Sequence, residues 1–176
     1  TGMGGRLDAT NVVVPEQVII PTIGLDHTSW LGATVREIAA EKAAIIKPGS
    51  TVFTATEGDA LDVITEAARR CRAPLFRAGT DATFRVIHVR PGCLELDVML
   101  SSGDRRKLQA PLTGSYHGAN VALAVMAARA AGIGWEHIDI GLSHIAEAGY
   151  RSRLEPVSTH PLVLLDVSHN PDGMSR

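Results

Sequence analysis

Lys42 stands where a cation is costly. Over residues 34–47, TVREIAAEKAAIIK, a helical projection of about 100° per residue puts Lys42 inside the apolar stripe of Val35, Ile38, Ile45 and Ile46. An ammonium aimed at a core must be paired or give up its proton, because desolvation favours the neutral amine. A neutral amine can take up carbon dioxide as a carbamate, an oxygen donor much like a carboxylate. His27, in GLDHTSWLG just ahead of the same helix, offers an imidazole. Together the two would hold Mg²⁺, which keeps several waters and binds substrate phosphates. The plainer alternative is a lysine stem on apolar surface with its ammonium in water, beside an Asp26–His27 pair that only caps and packs; the residues alone leave both open.

A second constellation is Asp166, His169 and Asn170 in DVSHNP, at the end of the apolar run 162–167. An aspartate at the tip of a βα unit can accept the hydroxyls of a ribose, and a histidine can contact a phosphate or acyl oxygen. The commoner fate of such residues is to cap the next helix and fill a turn. The opening GMGGR brings flexible backbone to an arginine, which suits either an anion or a tight loop. No GxxxxGK[ST] phosphate loop occurs in the 176 residues, so an enzyme of nucleoside triphosphates would carry it upstream of Thr1. His88, His137, His144 and His160 lie in strand or helix patterns without partners and read as structural or surface residues.

These groups need elements to hold them. Residues 12–14 and 17–25 are β-branched and apolar, the second run continuous enough for a strand buried on both faces of a parallel sheet, with His27 at its end. Thr34 and Glu37 form a TxxE capping box, and Pro48-Gly49 is a stop signal, so one helix of about 13 residues is expected between them. Residues 51–55 read as a strand, 59–72 as a helix capped by Asp59, and 74–77 as another strand, a βαβ rhythm. Residues 83–89 and 93–100 alternate around Arg90-Pro91-Gly92, as in an antiparallel hairpin inserted at a sheet edge. Helices are expected over 120–131 and 135–147, then a fully apolar strand over 162–167 whose carboxyl end carries the second constellation.

The composition fits this α/β reading. Seventeen Lys and Arg against nineteen Asp and Glu give a formal charge of −2, so bulk attraction to nucleic acid or an anionic membrane is not supported. The 45% hydrophobic and 20% charged content is that of a packed globular chain rather than a disordered one. Cys71 and Cys93 form no CxxC pair or zinc-type cluster, which suits a reducing, cytoplasmic compartment. No apolar run approaches the roughly 18 to 20 residues of a membrane span, and no signal peptide opens the chain, so a soluble protein is expected.

Taken in order, GMGGRLDATN, GLDHTSWLG, EKAAIIKPG, SYHGAN and DVSHNP are spread over nearly the whole length of the chain. This ordered set resembles the folylpolyglutamate synthase and dihydrofolate synthase family within the Mur ligase superfamily. The resemblance implies a partial Mur-ligase-type central ATPase domain, with a mostly parallel sheet and an antiparallel insertion, over residues 1–155. Residues 156–176 would begin a Rossmann-like carboxy-terminal domain, the boundary lying near 155–161 with its two prolines and Ser158-Thr159.

The resemblance further implies an ATP-dependent ligase that activates a folate or dihydropteroate carboxylate as an acyl phosphate, which the amino group of L-glutamate attacks. Its substrates would be small molecules, with no nucleic-acid or membrane partner, acting on a monomer. Mg²⁺ would fall to His27 and Lys42, the lysine as its carbamate. Asn120 resembles an adenine contact, Arg153 the arginine that reaches the nucleotide phosphates, and Asp166 the ribose contact; His169 would act beside the γ-phosphate and acyl phosphate. A glutamate ligand would precede Thr1 by one residue, so a fragment inactive by itself is expected. Three motifs depart from the usual forms: DGAHNP has Val167 and Ser168, HQxxN reads His117, Gly118, Ala119, Asn120, and PGR reads Arg151, Ser152, Arg153. Rival readings are another Mur-type amino-acid ligase of cell-wall precursors, a non-catalytic nucleotide-binding module, and a metal hydrolase using His27 and His169.

Overall fold

Parallel strands cannot be joined by a tight turn; each pair needs a crossover, and the first 77 residues supply two. The computed structural model describes residues 4–168 and 171–175. These fall into two compact units, residues 4–77 with 171–175 and residues 78–168. In the first, β1 (Gln17–Ile20), β2 (Thr51–Thr54) and β3 (Leu75–Arg77) form a parallel sheet in that order, with Val18 opposite Val52 and Val52 opposite Leu75. The short α1 (Thr28–Leu31) and α2 (Val35–Ala43) cross from β1 to β2, and α3 (Gly58–Cys71) crosses from β2 to β3. Val18, Ile20, Ala43, Ile46, Val52, Ile64, Ala67 and Ala68 make the shared core. Strand ends are tied by buried hydroxyls: Thr54 donates to the Ile20 carbonyl at 2.7 Å and Ser50 to that of Pro15 at 2.6 Å.

Several expectations shorten. The strand expected over 17–25 ends at Ile20, because Pro21 has no N–H to continue the ladder, and Ile19 is 44% exposed, so β1 is not buried on both faces. The capping box forms as expected, with Glu37 N donating to Thr34 Oγ1 at 3.2 Å and Thr34 N to Glu37 Oε2 at 3.0 Å. Its helix stops after nine residues, since Ile45 and Ile46 bond back only three residues, to the Lys42 and Ala43 carbonyls. Glu57, not Asp59, holds the N-cap position of α3; Asp59 lies in the first turn, where the helix dipole favours a carboxylate.

In the second unit β4 (Ala82–Arg90), β5 (Cys93–Leu100) and β6 (Arg105–Ala110) form their own antiparallel sheet rather than an insertion at the edge of the parallel one. β6 escaped the sequence reading because RRKLQA buries only Leu108 and Ala110, the polar habit of an edge strand. Helices α4 (His117–Ala130) and α5 (Trp135–Ser143) cover one face, and Leu94, Leu96, Val98, Leu108, Val121, Val125, Ile138 and Leu142 fill the space between. Gly118 allows the close approach of α4, since a Cβ there would lie 2.8 Å from the Phe84 ring. The segment 155–161, expected as a domain boundary, contains β7 (Glu155–Thr159), which pairs antiparallel with β8 (Leu162–Leu165). The strand expected over 162–167 is therefore shorter and half of a hairpin, with all four of its residues exposed. The short α6 (Pro171–Met174) groups with the first unit. No helix among the described residues is long and apolar enough to cross a membrane.

Candidate functional site

In the second unit a polar cluster forms where the start of α4 meets the loop that leads into β7. His117, the first residue of α4, is fully buried and packs against Tyr116, ring centroids 4.0 Å apart with the planes tilted by 36°. Tyr150 meets the same imidazole edge-on at 5.8 Å, and its hydroxyl lies 3.4 Å from His117 Nδ1. Burial depresses the basicity of His117 and pushes both phenols, Tyr116 and Tyr150, up. His117 Nε2 is buried without a hydrogen-bond partner. Asn120 sits one turn along α4 from His117, and its carboxamide acts on the Tyr150 phenol as a hydrogen-bonding group.

Arg153 is presented by a strained loop. Ser152 and Leu154 on either side have φ of 59° and 49°, a left-handed conformation that costs energy without glycine. Two carboxylates hold it. Glu155 accepts from Ser152 N at 2.7 Å and from Arg151 Nε at 2.5 Å; Asp166 accepts from Leu154 N at 2.8 Å and from Ser168 N at 2.6 Å. The Ser168 hydroxyl is the main influence holding Asp166 below the ordinary carboxylate range, and the Ser152 amide does the same for Glu155. Arg153 itself is exposed, and its charge is felt by Tyr116, His117, Tyr150 and Asp166. Asn120, Arg153 and Asp166 are thus gathered around one cluster. Asp166 thus takes the Leu154 amide on Oδ2, the Ser168 amide on Oδ1 and the Ser168 hydroxyl, and an ionised carboxylate has acceptor capacity beyond these three. His169 lies outside the described residues.

His27 and Lys42 belong to the first unit, on the packed helices α1 and α2. His27 occupies the N-cap position of α1 in a left-handed conformation, φ 50°, with its amide donating to Asp26 Oδ1 at 2.8 Å and its Nε2 3.8 Å from Asp26 Oδ2. Lys42, in the last turn of α2, is half-buried, its flanks Ile38, Ala39, Ala43 and Ile46 fully so. The glycine-rich opening docks here. Gly5 N donates to the Glu41 carbonyl at 2.8 Å, so that amide is unavailable to an anion. A Cβ on Gly5 would lie 2.7 Å from the carbonyl oxygens of Glu41 and Lys42. No group of three His, Cys, Asp or Glu side chains able to hold a metal occurs among the described residues. The donors present suit a hard cation only if Lys42 supplies oxygen, as a carbamate does; the His27 side chain, 41% exposed, remains accessible to such a partner.

The residues that motif reading did not bring into the site are Tyr116, Tyr150 and Glu155. One signal was available: the chain has two tyrosines, and both fall on this cluster.

No protein-family model matches the chain. It is 36% identical over 186 residues to the dihydrofolate synthase/folylpolyglutamate synthase of Bacillus subtilis, covering 100% of this chain and 42% of that protein. It is 32% identical to the folylpolyglutamate synthase of Lacticaseibacillus casei, over 99% of this chain and 42% of that one. Among solved structures, an FPGS-AMPPCP-folate complex matches with a TM-score of 0.88 at 30% identity, over 99% of this chain and 43% of the other. The chain belongs to the folylpolyglutamate synthase and dihydrofolate synthase family. A structure of E. coli FolC with DHPP and ADP agrees, at a TM-score of 0.82 and 32% identity over 98% of this chain and 39% of that one. The fold is accordingly the Mur-ligase-type α/β fold of that family, with one parallel and two antiparallel sheets among the described residues. The chain spans about two-fifths of the length of these family members.

Proposed function

We propose that this protein is an ATP-dependent ligase that joins L-glutamate to the carboxylate of a folate or a dihydropteroate. The observation that carries the reading is the match along the whole chain, at 30 to 36% identity, to folate-glutamate ligases, one of them solved with an ATP analogue and folate. In the proposed reaction the carboxylate attacks the γ-phosphorus of ATP and ADP leaves, giving an acyl phosphate. The glutamate amine then attacks the acyl carbon, loses a proton and expels phosphate as the amide forms. Such chemistry needs mainly the positioning of anions and stabilisation of developing charge.

The residues take these roles. Asn120 contacts the adenine, Arg153 the phosphates, and Asp166 the ribose through its remaining acceptor capacity. His169 stands beside the transferred phosphoryl group. His27 and the Lys42 carbamate hold Mg²⁺, which when bound neutralises phosphate charge. The support for Arg153 is its exposed head on a loop clamped by Glu155 and Asp166. Residues 1–155 belong to the central ATP-binding domain and 156–176 begin the Rossmann-like one. The protein acts as a monomer on small molecules, without nucleic acid or membrane. Free Cys71 and Cys93 support a cytoplasmic location.

The test is to assay the full-length protein with ATP, L-glutamate and either dihydropteroate or tetrahydrofolate. Stoichiometric ADP, phosphate and glutamylated pterin are expected, with Lys42→Ala losing at least about a hundredfold in rate. ATP hydrolysis without amide formation would overturn the ligase reading.

A further inference from the structure

We propose that Glu155 is a positioning residue for nucleotide binding: its carboxylate holds Ser152 in a left-handed backbone conformation and so fixes where Arg153 is presented to the phosphates. This rests on the reading of Arg153 as the phosphate contact.

The loop 151–154 turns through two left-handed residues, Ser152 at φ 59° and Leu154 at φ 49°, with Arg153 between them. Neither is glycine, so at each the side chain crowds its own backbone, and the loop needs outside support to keep this shape. The open end of the β7–β8 hairpin supplies it. Glu155 begins β7 and lies opposite Leu165, the last residue of β8, with Asp166 next in the chain. The two strained amides are divided between these carboxylates: Ser152 N donates to Glu155 Oε2 at 2.7 Å, and Leu154 N to Asp166 Oδ2 at 2.8 Å. Val167 N adds a bond of 3.0 Å to the Ser152 carbonyl. An amide held by an ionised carboxylate makes a stronger bond than a neutral pair, which is what offsets the backbone strain.

The other oxygen of Glu155 is occupied. Arg151 reaches Oε1 through Nε and through Nη2, each at 2.5 Å. The Arg151 side chain is 62% exposed, so the ion pair contributes little to stability by itself. Its use is directional and electrostatic. With Oε1 engaged, Oε2 stays turned to the Ser152 amide, and a negative charge that would repel a phosphate is balanced. Because Arg151 is the ion-pair partner of Glu155, the guanidinium of Arg153 is not drawn onto that carboxylate and is left to meet an anion. Glu155 therefore acts through Arg153 and needs no contact with the nucleotide.

The experiment uses the full-length protein and its Glu155→Ala, Glu155→Gln, Arg153→Ala and Glu155→Ala/Ser152→Gly variants. It measures binding of a non-hydrolysable ATP analogue by calorimetry, inhibition by adenosine, and KM and kcat for ATP. Glu155→Ala should weaken the analogue about tenfold, raise KM for ATP more than it lowers kcat, and leave adenosine inhibition unchanged. Glu155→Gln, which keeps an acceptor for Ser152 N, should lose less. Adding Ser152→Gly to Glu155→Ala removes the cost of the left-handed backbone and should restore most of the affinity. If Arg153→Ala leaves the analogue's affinity unchanged, the phosphate-contact reading fails and the proposal falls with it. If Arg153→Ala weakens binding while folded Glu155→Ala does not, or if Ser152→Gly restores nothing, Glu155 does not position Arg153 and the proposal is wrong. Amide exchange in the unliganded wild-type protein needs no variant. The Ser152 N–H should exchange at least about tenfold more slowly than an unstructured amide, and an unprotected Ser152 overturns the proposal.

Discussion

A buried imidazole with one unpartnered nitrogen is an uncommon arrangement, and at His117 it ties together groups far apart in the chain. Tyr150 is 33 residues away, so no local pattern signals the contact. The motif residues Asn120, Arg153 and Asp166 were legible from their resemblance to known forms, whereas the clamps were not. Glu155 read as the start of a domain boundary, and its grip on Ser152 N exists only because the loop doubles back. Gly118, in place of the usual glutamine, is explained by the Phe84 ring against which α4 lies. The His117 environment also sets a pH dependence. Its depressed basicity means the unfolded chain takes up a proton before the folded one does. Its stabilising contribution is complete above the ordinary histidine value, roughly pH 6.5, and is lost as pH falls below it toward the lower folded-state value. Thermal melts should therefore show wild-type stability declining from about pH 6.5 downward. His117→Gln should remove that part of the slope and leave only the decline at lower pH, where Asp166, Glu155 and Asp97 take up protons.

Among the elements, α2 was read best and explains why. Its capping box is a short-range device, complete within four residues, so sequence spacing suffices. Its other end depends on the opening segment. Gly4 lies under Leu31, and Gly5 rests on the backbone of Glu41 and Lys42, so α1, α2 and the opening loop meet around Lys42. Gly5 needs no left-handed backbone; what it provides is space. Gly5→Ala would press a methyl onto two carbonyl oxygens and Ile45, and should cost about 1–3 kcal/mol in urea unfolding. Gly141→Ala is the control, since nothing lies near its Cβ position inside α5, and a gain of roughly 0.5–1 kcal/mol is expected there. The strand β6 shows the opposite case, a charged sequence made into a strand by its neighbour β5.

For the whole molecule, the decisive feature is that two separate cores form, one around Val52 and Ile64 and one around Leu96 and Val125. Of the chain's two tryptophans, Trp135 packs against the second core, so that core can be followed optically, whereas Trp30 is 76% exposed. Leu96→Ala in the second core should cost about 2–5 kcal/mol, read from Trp135 fluorescence in a Trp30→Phe background. No comparable effect of that substitution on a first-core residue's hydrogen-exchange protection is expected. The exposed apolar hairpin of β7 and β8, with Val157 55% and Leu162 53% exposed, belongs to the second unit and lies outside both cores.

By itself the sequence determined the α/β class, the capping box, the βαβ rhythm and the family, because these rest on contacts or motifs spanning a few residues. The tertiary structure alone decided that the middle strands build their own sheet, that residues 155–165 form a hairpin, and that Tyr116, His117 and Tyr150 surround Asn120 and Arg153. Those outcomes depend on pairings between distant segments. Their free energy comes from shared burial and completed hydrogen bonds, which no single segment carries in its own spacing.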